Sequence, residues 1–128
     1  MKKKPFDFRT IKSFEDACKK EGIDPAMLPD VSMLPQKFRE AVIAVYKLFV
    51  IFKAINDKWI ADYTNNDQPK YYPWLRVNSS GSGFDFSDSY FDYDRSDSAV
   101  GSRLCTFSRE AALYIGEQFA PEYAKFFL

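Results

Sequence analysis

The run from Pro35 to Lys58 constrains the fold of this chain more than any other segment. Phe38, Val42, Val45, Phe49, Phe52 and Ile55 recur at spacings of three and four, the period of an α-helix. Ala41, Leu48 and Ile51 widen that stripe until little polar face remains. A helix apolar on most sides is buried on most sides, so other elements must wrap around it. Its most apolar part, Ala41 to Ile55, contains Lys47 and Lys53. At about 15 residues it falls short of the roughly 20 that cross a bilayer. We therefore expect a core helix over about 35–58 and no membrane partner.

The flanking segments supply start and stop signals. Ser13-Phe-Glu-Asp16 places an acid three residues after a hydroxyl, a capping-box-like start for a short helix through about Glu21. Phe14, Ala17 and Cys18 share one face of it, and Gly22 suits its C-terminus. Asp24-Pro25 reads as an N-cap and first residue of one helical turn. The stretch 22–35, with three prolines, then reads as a tight connection stapled to the core by Ile23, Met27, Leu28, Val31, Met33 and Leu34.

Beyond Trp59 the pattern changes. A polar loop, 63–69, precedes Lys70-Tyr-Tyr-Pro-Trp-Leu-Arg-Val77, which reads as a strand with an edge or bulge at Pro73. Asn78–Gly83 is turn chemistry. Phe84, Phe86, Tyr90 and Phe91 suggest a second strand, broken near Asp88, and Arg103–Phe107 a third. Ser108 then caps a helix to about Phe119, with Ala112, Ile115 and Phe119 inward, and Glu122–Phe127 adds a last turn. The expected fold is α+β: a short N-terminal helix, a long buried helix, a three-stranded antiparallel sheet, and a C-terminal helix packed on one sheet face. With 128 residues, we expect one domain over 11–128 and a basic, flexible segment at 1–10.

Charge and composition narrow the chemistry. Lys+Arg and Asp+Glu balance at 18 each, so no global field draws the chain to nucleic acid or membrane. Residues 1–20 nevertheless carry a net of about +4, and 79–97, with Asp85, Asp88, Asp92, Asp94 and Asp97, about −4. Two solvated surfaces explain this, with head-to-tail self-association as the sharper alternative. The basic start has no apolar stretch behind it and does not read as a secretory signal. Cys18 and Cys105 lack the density of a disulfide framework and read as reduced core residues, which favours a cytoplasmic setting.

There is no histidine, so Ser-His-Asp, Cys-His and His-metal sites have no components here. Asp92-Tyr-Asp94-Arg-Ser96-Asp97 begins like a calcium loop, but the sixth position is Asp97 where glycine is needed and the twelfth is Arg103 where glutamate is needed. Gly81-Ser-Gly83 lacks the third glycine and the following helix of a phosphate cradle. We expect no metal, no cofactor and no enzymatic activity. The aspartates lie in a Ser/Gly-rich segment, where carboxylates keep ordinary pKa values and make poor general acids.

The remaining candidate is a surface of rings beside cations: Lys70, Tyr71, Tyr72, Trp74 and Arg76. On a strand, Tyr72, Trp74 and Arg76 share one face and Tyr71, Leu75 and Val77 the other. One face belongs to the core; an open one could meet a protein or stack unpaired bases. Asp85 and Asp88, on the neighbouring strand, would repel phosphate.

The segments Ile11-Lys-Ser-Phe-Glu-Asp-Ala17, Gly22-Ile-Asp-Pro25, Leu28-Pro-Asp30, Tyr71-Tyr-Pro-Trp74 and Val100-Gly-Ser-Arg-Leu-Cys105, in that order, resemble a group of small hypothetical proteins of gut Bacteroidales genomes. Those proteins often occur in phage or mobile-element surroundings. The resemblance runs from about residue 10 onward, implies an intracellular, phage-related context and carries over no functional residues. The expected function is a non-enzymatic protein-binding or assembly module acting on an unidentified protein or on itself. The alternative is single-stranded nucleic-acid binding through the same rings with Lys70 and the basic N-terminus.

Overall fold

The computed structural model describes residues 5–65, 67–73, 75–77, 84–86, 90–92 and 104–127, the last three strands by backbone alone. Four α-helices dominate: α1 (Phe14–Glu21), α2 (Gln36–Asn56), α3 (Arg109–Gln118) and α4 (Ala120–Phe127). Among the described residues there are also four strands of three residues each: β1 (Lys70–Tyr72), β2 (Leu75–Val77), β3 (Phe84–Phe86) and β4 (Tyr90–Asp92).

The helix ends follow from local chemistry. Ser13 accepts the backbone N–H of Asp16 through its hydroxyl and so caps α1; Gly22 closes it at φ +70°, a conformation open to glycine. Ser108 caps α3 in the same way by accepting from the Ala111 N–H. At the end of α2 a positive-φ position is filled by Asp57, φ +55°. Its carboxylate is held 2.8 Å from the ammonium of Lys20, which ties the end of α2 to α1.

The core lies among the helices. Phe14, Ala17 and Cys18 of α1 meet Leu48, Ile51, Phe52 and Ile55 of α2, with Ala111, Ile115, Phe119 and Tyr123 closing over them. Residues 8–10, within the segment expected to be a flexible arm, form a short 3-10 helix. The Phe8 ring meets those of Phe107 and Tyr114 edge-on at 5.9 and 5.6 Å. Tyr114 donates its hydroxyl to the Ile11 carbonyl (2.7 Å), and Gln118 its amide to that of Lys12 (2.8 Å).

The expected α+β arrangement with a three-stranded antiparallel sheet is not what forms: the fold is mostly helical. The strands pair two by two, β1 with β4 and β2 with β3, both antiparallel. Tyr72 faces Tyr90, but Leu75 faces Phe86, so the register slips by one residue across Pro73. Proline has no N–H to give the ladder, which is why one long strand becomes two short ones. Of the expected third strand, residues 104–107 are described, and among them pairing is a single bridge, in which Thr106 and Tyr71 exchange backbone hydrogen bonds of 3.0 and 2.7 Å. Two residues later the chain is already committed to the α3 cap at Ser108. α3 does pack against β1 and β4.

The connection 22–35 departs from expectation in part. Asp24 accepts the Ala26 N–H with its side chain and the Met27 N–H with its carbonyl (3.0 Å), so the expected cap and single turn form, and Asp30 accepts the Ser32 N–H in a second turn. Only Ile23 and Val31 of the six expected staples are even partly buried among the large apolar residues of this stretch.

Candidate functional site

Of the five residues of the aromatic strand, Lys70, Tyr71 and Tyr72 have described side chains, and none of the three is fully exposed. Lys70 is 2% exposed, and its ammonium donates to the carbonyls of Gln68 (3.0 Å) and Asn65 (3.2 Å) while lying 5.0 Å from the Tyr63 ring centre. It fastens the polar loop from below and is not presented to a phosphate. Tyr71 and Tyr72 are half-buried. Arg76 stands opposite Asp85 in the β2–β3 register. Trp74, the calcium-like segment beyond Asp92 and the Gly81-Ser-Gly83 turn lie outside the described residues.

Behind β1 sits a compact polar knot. Asn56, the last residue of α2, donates its amide to the Cys105 carbonyl (2.8 Å) and accepts from the buried Thr106 hydroxyl through its side-chain oxygen. The Tyr63 hydroxyl lies 3.5 Å from the Cys105 sulfur. Burial pushes the Cys105 thiol above its usual range, partly offset by that hydroxyl and by Lys70. Cys18 moves up for the same first reason, with Glu15 and Asp24 adding to it. A thiol held protonated is a weak nucleophile, and both cysteines are buried. The carboxyls of Asp30, Asp57 and Asp62 all shift down, held by hydrogen bonds from Ser32, Lys20 and Thr64 respectively. Held in the charged form, they are poor proton donors at neutral pH. Among the described residues, no group of three or more acidic or cysteine side chains could hold a metal ion, and no helix is long and apolar enough to cross a membrane.

The most unusual feature is an apolar surface left in water. α2 carries two apolar stripes. Ala44, Leu48, Ile51 and Ile55 form the first and are buried at 2% or less. Phe38, Val42, Val45 and Phe49 form the second, about 120° around the helix at 100° per residue. Phe38 is 51% and Phe49 39% exposed, and the valines between them are partly exposed. The spacing of four, three and four residues is that of a helix-packing seam.

Large apolar side chains are also exposed in the segments on either side of α2. At the N-terminal end Met33 is 95% exposed and Met27 68%, joined by Leu28 and Leu34. These residues are not on a loose loop. Arg39 reaches back to donate to the carbonyls of Ser32 and Leu34, both at 2.9 Å, fixing the connection to the first turns of the helix. At the other end Phe49 lines a groove of ≈ 460 Å³ with Lys53, Asn56, Trp59, Ile60 and Cys105. Ile60 stands 75% exposed on its rim.

The sequence contained this signal and the period hid it. A stripe at spacings of three and four marks a face that packs on something, without saying whether the partner belongs to the same chain. Comparison with protein families, curated proteins and solved structures finds no match.

Proposed function

We propose that this chain is a non-enzymatic protein-binding or assembly module that docks through the outer stripe of α2 and its flanks. The observation that carries this reading is the fixed exposure of Met33, Phe38, Phe49 and Ile60 on ordered backbone. A large apolar side chain left in water forgoes about 1.5–3 kcal/mol of burial, and contiguous patches of this kind are how monomeric proteins mark partner sites. On this reading the docking surface is the outer face of α2, in place of the Lys70–Arg76 strand, whose Lys70 is buried.

Single-stranded nucleic-acid binding is the weaker reading, because Lys70, its central cation, is already capped by two carbonyls. Reduced, buried cysteines favour a cytoplasmic setting, and a phage or mobile-element context rests on the sequence resemblance alone.

The test compares wild type with the double variant Phe38→Ser/Phe49→Ser, whose altered residues are half-exposed and outside the buried core. Sedimentation across a concentration series, together with cross-linking capture from cell extract, should show self-association or a captured protein for wild type and a loss of either in the variant. A wild type that stays monomeric and captures nothing beyond what the variant captures overturns the proposal.

A further inference from the structure

We infer that the partner of the α2 seam is an acidic amphipathic helix of another protein. The inference rests on the docking role proposed above and names the chemistry of what docks. The two exposed phenylalanines each stand beside a lysine. The Lys37 ammonium lies 5.1 Å from the Phe38 ring centre. Lys53, one helical turn beyond Phe49, lines the same groove with its side chain 62% exposed. Its ammonium lies 3.8 Å from a Glu21 carboxylate oxygen and donates to the Asp57 carbonyl at 3.4 Å, both long contacts that leave it open to solvent. Lys37 has no ion-pair partner among the described residues.

The seam thus carries a cation at each end and no carboxylate between them: Glu40, the sole acid of α2, lies on the other side of the helix, in the groove lined by Val31, Ile43 and Lys47. At the N-terminal end, the carboxylates of Asp24 and Asp30 are turned onto their own backbone.

That distribution selects between occupants. A second copy laid antiparallel along the seam would bring Lys37 of each chain toward Lys53 of the other, and a parallel copy would set like against like. Juxtaposed like charges disfavour a pairing as strongly as complementary ones favour it. A helix with an apolar face and glutamates or aspartates on its flanks satisfies both ends at once. Phe38 and Phe49 are about 16 Å apart along the axis, so three turns of partner cover the seam. Anchors at i, i+4, i+7 and i+11 match its spacing, and the last of them enters the groove of Phe49, Trp59 and Ile60.

The experiment uses the full chain and two fluorescein-labelled helical peptides of about five turns. Both carry leucines at the seam spacing; one has glutamates on its flanks and the other lysines. At low salt the glutamate peptide should bind at least about tenfold more tightly than the lysine peptide. Lys37→Glu/Lys53→Glu should reverse that order, and Phe38→Ser/Phe49→Ser should weaken the glutamate peptide by a similar factor with the helical circular dichroism unchanged. Equal binding of the two peptides, no binding of the glutamate peptide, or indifference to the lysine reversal overturns the inference. So does seam-dependent dimerisation of the protein alone, which gives the surface to a second copy. A captured partner that is lost in the seam variant but docks without an acidic helix also overturns it, while leaving the docking role intact.

Discussion

The ammonium of Lys20 and the carboxylate of Asp57 meet at 2.8 Å, across the junction of α1 with the end of α2. Asp57 holds φ +55° there, a conformation uncommon outside glycine, and Lys53 adds a 3.4 Å hydrogen bond to its carbonyl. The Lys20 hydrogen bond is the main cause of the depressed Asp57 pKa, against a smaller upward push from desolvation. A carboxyl whose folded pKa lies below its unfolded value stabilises the fold above the unfolded pKa and loses that effect as pH falls through the folded one. The urea midpoint of wild type should therefore exceed that of Asp57→Asn by a constant margin at neutral pH. The margin should shrink once pH drops below about 4. A margin independent of pH down to acid unfolding would assign the effect to packing.

The two stripes of α2 should respond oppositely to truncation. Phe52 is 1% exposed, and Phe52→Ala should cost about 3–5 kcal/mol by chemical denaturation. Phe38→Ala, about four turns earlier on the outer stripe, should cost less than about 1 kcal/mol. Comparable losses at both sites would mean that Phe38 is covered in solution.

Thr106→Val tests the knot behind β1. The substitution keeps the shape and removes the hydroxyl that Asn56 accepts, leaving a buried acceptor short of a donor. The expected cost is about 1–3 kcal/mol, read as a lower denaturation midpoint. An unchanged midpoint would show that the Asn56 amide bond to the Cys105 carbonyl alone secures the end of α2.

Gly22→Ala isolates backbone conformation from sterics, because a Cβ at Gly22 would meet nothing within 4 Å. The left-handed φ alone should destabilise the protein by about 1–2 kcal/mol. A neutral result would mean the α1 terminus relaxes into an ordinary turn.

Cys18 and Cys105 should react slowly with a thiol reagent at neutral pH and rapidly once urea unfolds the chain. Both are buried, and burial is the first cause of their raised pKa values. Fast labelling of the native protein would point to frequent local opening around one of them.

What could be read from the sequence was local. Ser13, Gly22 and Ser108 act within four residues of themselves, so their capping roles were legible and the helix ends fall where they put them. The extent of α2 followed from its period. Three other features depend on distant partners and were not legible. The exposure of Phe38 and Phe49 depends on which neighbours α2 acquires. Lys70 was a candidate binding cation, but carbonyls of Asn65 and Gln68 accept from it and it is buried. Alternation at Arg103–Phe107 suggested a strand, yet among the described residues pairing is seen only at Thr106, two residues before the helix cap.

The hydrogen bonds from Tyr114 and Gln118 to Ile11 and Lys12 join positions 103 and 106 residues apart in the chain. The inner stripe of α2 likewise waits for Phe119 and Tyr123 to close over it. During synthesis at about 5–20 residues per second, α1 and α2 would leave the ribosome several seconds before their lid exists. The nascent chain thus carries two uncovered apolar faces on one helix, and only one of them is destined to be covered by the chain itself. Chaperone contact in that interval, and aggregation when it fails, should depend on how promptly the last twenty or so residues arrive.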